Sequence, residues 1–193
     1  MNSLGNGGSN TEARTPTSQD IEGPFYVPGA PFRTKLTPEG EAGDKIIITG
    51  RVENTDFVPL VGAIVDIWHA DANGEYDFSE NYWYRGQLTT DDKGCYKFET
   101  SFPGRYSLDA SFRPAHIHIK GSAQGHVLLT TQLYFSDDPY LGPNDPATDC
   151  RSDDPMRIIV LHAKSNEDGS TTWTGIFNIV LEPVSATPDG YSI

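Results

Sequence analysis

The sequence predicts an all-β protein, an antiparallel β-sandwich of about eight strands with long active-site loops. Three observations predict it. Short β-branched, partly alternating runs recur between turn residues, and no helical period is sustained for ten residues or more. One polar, proline-rich stretch is long enough to be a functional loop. A chain of 193 residues is long enough for one full core and short for two domains.

Met1 to Asp20 is rich in Gly, Asn, Ser and Thr, which predicts a flexible N-terminal tail over 1–20 and a folded domain over 21–193. Ile21 to Pro31 sets two aromatics among three prolines, a stiff segment able to lie across a surface. Lys45 to Val52 and Ala63 to Ala70 read as strands, with Pro59 and Gly62 marking the loop between them. Tyr84 to Thr89 and Cys95 to Thr100 are extended runs turned by Thr90 to Gly94. Arg113 to Lys120, Val127 to Phe135, Arg157 to Lys164 and Thr172 to Leu181 complete the strands. Glu167-Asp168-Gly169 turns the last pair, and Asp137 to Pro155 is the long loop.

Composition excludes some partners. The net charge of −13, from 27 acidic and 14 basic side chains, argues against nucleic acid and against an anionic membrane surface. No apolar run approaches the roughly 20 residues of a membrane span, and the N-terminus lacks the apolar core of a signal peptide. Cys95 and Cys150 read as two free thiols in a reducing cytosol, so the expectation is a cytoplasmic protein, with one disulfide between them left open.

The chemistry gathers around RPAHIHIK, Arg113 to Lys120. His116 and His118 are two apart, so a strand projects both imidazoles from one face. A lone His-x-His is often a solvated face, so further donors are needed. Tyr76 in NGEYDF and Tyr106 in FPGRYS supply candidates, because both stand in irregular segments beside turn residues. Two phenolates and two imidazoles would offset much of the charge of Fe(III), whereas zinc sites favour Cys and His. His69, His126 and His162 read as structural or solvated.

Four segments carry a resemblance: VDIWHADANGEYD, TDDKGCYKFETSFPGRY, RPAHIHI and LLTTQLYF. Together they resemble the intradiol ring-cleavage dioxygenases, the family of protocatechuate 3,4-dioxygenase and catechol 1,2-dioxygenase, from about Gly23 to Leu181. The resemblance implies a non-haem Fe(III) held by Tyr76, Tyr106, His116 and His118, with Tyr76 and His116 equatorial and Tyr106 and His118 axial. It implies Arg113 and Gln132 beside the substrate ring, and Trp68, Pro24 and Tyr26 as substrate contacts. The implied partners are a catechol-type small molecule and O₂, and a homo-oligomer stays open. Arg85, Arg105 and Lys120 are the candidate cations for a ring carboxylate. TTDDKGCYKFETSFPGRY also resembles transthyretin-like sandwich domains, a reading that leaves the Tyr/Tyr/His/His set unused. A third reading keeps the iron and oxygenates a specialised phenol instead.

Overall fold

A computed structural model of the chain describes residues 13–108, 110–150 and 152–185. Among them, twelve strands form two five-stranded sheets and a small hairpin. The first sheet is built on β1 (Lys45–Asn54), with β4 (Cys95–Ser101), β10 (His162–Ser165), β11 (Thr171–Ile176) and β12 (Ile179–Leu181). The second runs β3 (Arg85–Thr89), β2 (Ile64–Trp68), β7 (His116–Ser122), β8 (Leu129–Phe135), β9 (Ile158–Ile159). The hairpin is β5 (Ser107–Leu108) with β6 (Ser111–Phe112).

The sandwich is as expected, and strands beyond eight arise where predicted runs break or add short pairs. Most pairings are antiparallel, but β1 pairs in parallel with β11 and β12, as β8 does with β9. β11 and β12 lie end to end along one edge of β1 in a single register, interrupted at Phe177-Asn178. There Tyr96 donates to the Phe177 carbonyl at 2.6 Å, and the Asn178 side chain accepts from the Arg51 amide at 3.0 Å. Both groups exposed by the break are thereby satisfied.

Alternation places the core. Ile46, Ile48, Phe98 and Ile179 of one sheet meet Val65, Ile67, Ile117, Ile119 and Leu133 of the other, all fully buried. In β7 the isoleucines take the inner face, so His116 and His118 must take the outer one. That face is buried too, because loops cover it.

One cover differs from the expected tail. Residues 13–20 run along the body: the Thr17 amide donates to Val180 O, Val180 returns a bond to Thr17 Oγ1, and the Asp20 amide donates to Thr130 O. Asp20 pairs with the buried Arg157 guanidinium. A polar composition suggested a solvated segment, but these residues satisfy backbone donors and a buried charge instead. Residues 1–12 lie outside the described residues.

Candidate metal centre

Strand register builds the first part of the site. Arg85, Trp68, His118 and Gln132 stand side by side across β3, β2, β7 and β8, and His116 pairs with Tyr134 one row on. His116 and His118 are 3% and 2% exposed, with ring centroids 4.9 Å apart. Trp68 stacks on His118 at 4.7 Å and 10°. Being 1% exposed, Trp68 backs the imidazole rather than walling an open pocket.

Two loops bring the tyrosines. Asp71 accepts the amides of Asn73 and Glu75, folding the chain that leads to Tyr76. Gly74, at φ +86°, packs so closely on Arg105 that a Cβ would collide with its carbonyl. Gly104 meets Gly74 and Ala72 from the other side, and its amide donates to Asp71 O at 2.7 Å. This glycine contact sets the Tyr76 and Tyr106 rings edge to face, 6.2 Å apart at 73°.

The donors converge. Tyr76 Oη lies 3.3 Å from His116 Nε2 and 3.2 Å from His118 Nε2. Adjacent ligand atoms sit about that far apart around one ion with bonds of roughly 2.0–2.2 Å. His116 Nδ1 donates to Pro114 O at 2.7 Å, so Nε2 keeps its lone pair for the centre. Burial, then Arg113, pulls His116 down to about 3, and burial, then His116 and Arg113, pulls His118 well below the ordinary histidine value. Both imidazoles are therefore neutral, as ligands must be. Burial pushes the Tyr76 phenol up, while Arg113 and Arg85 act against that. Among the described residues no group of three or more His, Cys, Asp or Glu is placed for a metal, so a cation here depends on phenol oxygens. The residues fit a hard, highly charged ion.

Arg113 borders the cluster, 6% exposed, with Nη1 3.4 Å from His116 Nε2. Its Nη2 donates to Gln132 Oε1 and Tyr134 Oη, both at 3.1 Å, and Asp145 takes its Nε and Nη2, each at 3.2 Å. Burial opposes that charge, and only the bond to Asp145 together with the electrostatic pull of Tyr134, Cys150 and Asp145 outweighs it, holding Arg113 above its ordinary value. Gln132 is fixed as well, because its Nε2 donates to Ile21 O at 3.0 Å.

A family model, Dioxygenase_C, described as Dioxygenase, matches residues 21–183. The chlorocatechol 1,2-dioxygenase of Rhodococcus opacus is 32% identical over 191 residues, covering 86% of this chain and 72% of that protein. The chain belongs to the intradiol ring-cleavage dioxygenase family. A catechol 1,2-dioxygenase of Acinetobacter lwoffii is 34% identical over 179 residues, 82% of this chain and 64% of its own. The dioxygenase domain of a carbohydrate-binding fusion protein from Streptomyces sp. SirexAA-E superposes with a TM-score of 0.72 at 32% identity, covering 88% of this chain and all of that one. The family uses non-haem iron.

In this intradiol family member the structure also redistributes expected roles. Within the 23–26 loop, Phe25 reaches the tyrosines, stacking on Tyr76 at 4.3 Å and edge-on to Tyr106 at 5.2 Å. Tyr26 instead packs behind Trp68 and donates to Asp66 at 2.9 Å, and Pro24 is exposed. Arg85, 1% exposed, spends its guanidinium on the carbonyls of Asp77 and Phe25. Lys120 pairs with Glu22 above the Tyr26 ring, and Arg105 pairs with Asp138 beside Tyr140. His69 is a core residue bonded to Thr100 Oγ1 at 2.8 Å, and both cysteines are free. A cavity of about 690 Å³, lined by Arg51, Tyr96 and Ile176 among others, shares no residue with the cluster. Donor convergence, not volume, marks the candidate site.

Proposed function

We propose that the protein cleaves a catechol-type ring between its two hydroxyl-bearing carbons, with both atoms of O₂ entering a muconate-type diacid. The observation that carries this is the convergence of Tyr76 Oη, His116 Nε2 and His118 Nε2 beside Arg113 in a chain of this family. Tyr76, Tyr106, His116 and His118 would hold non-haem Fe(III). Bound there, it would supply the redox and Lewis-acid chemistry that couples the ring to O₂. The rest falls to the chain's own groups. Tyr76 gives up its phenolic proton on metal binding, helped by the fields of Arg113 and Arg85. Tyr106, edge-on to Tyr76 and to Phe25, would as a phenolate take a proton from a catechol hydroxyl at its Oη. Arg113 Nη1 faces the cluster and stabilises negative charge developing on the ring, while Gln132 holds that guanidinium in place. Phe25 covers Tyr76 and excludes water.

A ring without a carboxylate of its own fits best, because Arg85, Arg105 and Lys120 are each engaged already. Free thiols at Cys95 and Cys150 support a reducing, cytoplasmic setting. Oxygen uptake by the iron-loaded protein on catechol, chlorocatechol, hydroxyquinol and protocatechuate is the test. One O₂ per ring and a diacid product are expected, with protocatechuate the poorest substrate. No uptake with any of the four, or cleavage beside the hydroxyl pair, refutes the reading.

A further inference from the structure

We propose that Asp145, in the long loop 137–155, is a positioning residue for the reaction, setting the aim of Arg113; this rests on the role given to Arg113 above. A guanidinium presents its donors in a rigid planar fork, so whatever takes one edge decides where the remaining nitrogen points. Asp145 takes the Nε/Nη2 edge with both oxygens, and the nitrogen left over, Nη1, faces His116 Nε2. Gln132 and Tyr134 steady Nη2 alone, whereas Asp145 grips two nitrogens and so sets the plane of the fork. The pair is shielded from water, with side chains 7% and 2% exposed, so the carboxylate also offsets a buried charge that would otherwise be costly beside neutral imidazoles.

Asp145 is itself held. Its Oδ1 accepts the Ala147 amide at 3.0 Å, and its own amide donates to Gly142 O at 3.0 Å. The Gly142 amide donates to Ser152 Oγ at 3.1 Å. At the start of the loop, Asp138 Oδ2 accepts the Ala115 amide at 3.0 Å, two residues beyond Arg113. The loop and the entry to β7 therefore share an anchor, and the carboxylate and its cation move together. This gives the loop a function that its composition alone does not specify.

The test is a cycle of Asp145→Asn, Arg113→Ala and the double variant in the iron-loaded protein. Asn keeps the shape and the bond to Ala147, but turns an amide NH₂ toward Nη2. Misaiming one preorganised donor is expected to lower kcat on the order of 10–10²-fold. Iron content and the visible tyrosinate band should match wild type, because Asp145 touches no donor. The double variant should be no slower than Arg113→Ala alone, the signature of a residue acting only through Arg113. Melting temperature gives a readout apart from activity: Arg113→Ala leaves a buried, unpaired carboxylate, and adding Asp145→Asn should recover part of the loss. Losses that multiply in the double variant, or Asp145→Asn within two-fold of wild type, overturn the proposal. Thermal recovery without a fall in kcat also overturns it, leaving a structural ion pair. A wild-type protein with iron and colour but no turnover refutes instead the reaction on which the proposal rests.

Discussion

Replacing Arg85 with Met removes the brace of the Tyr76 loop while keeping most of the side-chain volume. Arg85 donates through Nε and Nη2 to the Asp77 carbonyl at 3.0 and 2.8 Å, and through Nη1 to the Phe25 carbonyl at 2.8 Å. One guanidinium thus ties the residue after Tyr76 to the residue stacked on Tyr76. Methionine leaves both carbonyls without these donors, at roughly 1–3 kcal/mol each. Water entering a freed corner would hold the total near the lower end, about 2–4 kcal/mol. For a chain of this size, each kcal/mol lowers the melting temperature by about 2–4 °C, so a fall of roughly 4–16 °C is expected. Tyr76 should then hold its ion less firmly, and iron should be lost on dialysis faster than from wild type. Arg85→Lys should fall between, since an ammonium lacks the fork that spans the two carbonyls. The assays are thermal unfolding by circular dichroism and iron content against dialysis time. A melting temperature within 2 °C of wild type with full iron retention would falsify the brace.

Tyrosinate bound to Fe(III) absorbs visible light, so the iron-loaded protein should be coloured; Tyr76→Phe and Tyr106→Phe should each alter the band and Arg113→Ala should not. With substrate added under nitrogen, the Tyr106→Phe spectrum should approach wild type and the Tyr76→Phe spectrum should not; the reverse pattern would exchange their roles. Gly74→Ala should cost stability and weaken iron binding, since a left-handed residue gains a Cβ against the Arg105 carbonyl; unchanged iron affinity would show that the two loops adapt. His69 is pulled by burial to about 4, so it is neutral in the fold while the unfolded chain protonates near 6.5. Its stabilising contribution is complete above about pH 6.5 and is lost as pH falls toward 4, with a slope of up to about 1.4 kcal/mol per pH unit. Denaturant titrations across that window should show a shallower slope in His69→Gln, and an unchanged slope would refute the assignment.

The sequence exposed the parts of the fold that depend on local pattern. Alternation in β7 separates Ile117 and Ile119 from His116 and His118, and any strand must obey it. Turn chemistry around Tyr76 and Tyr106 was equally visible, but their meeting depends on the contact of Gly74 with Arg105, which no local signal reports. The loop 137–155 holds six aspartates, and only its tertiary path selects Asp145 for Arg113. Phe25 and Tyr26 are adjacent aromatics, and only the tertiary path of their loop decides that Phe25 faces the tyrosines while Tyr26 packs behind Trp68. The ordered course of residues 13–20 was hidden for a different reason. Their partners, Val180, Thr130 and Arg157, lie more than a hundred residues away.

The end-to-end seating of β11 and β12 along β1 has a consequence for how the protein is made. β1 emerges early from the ribosome and finds β4 about fifty residues on, yet its other edge waits for the strands ending at Leu181. Until then Ile46, Ile47 and Ile48 present an open, β-branched edge, the kind that pairs readily with another chain. Non-local parallel pairing is slow to form, because loop closure must be met before the contacts reward it. A chain stalled or cut before Ile179 would keep every residue of the candidate site and still leave Val52, Glu53 and Asn54 of its longest strand without their partners on that edge. Yield of the intact protein should therefore depend on the last two strands more than their distance from the chemistry suggests.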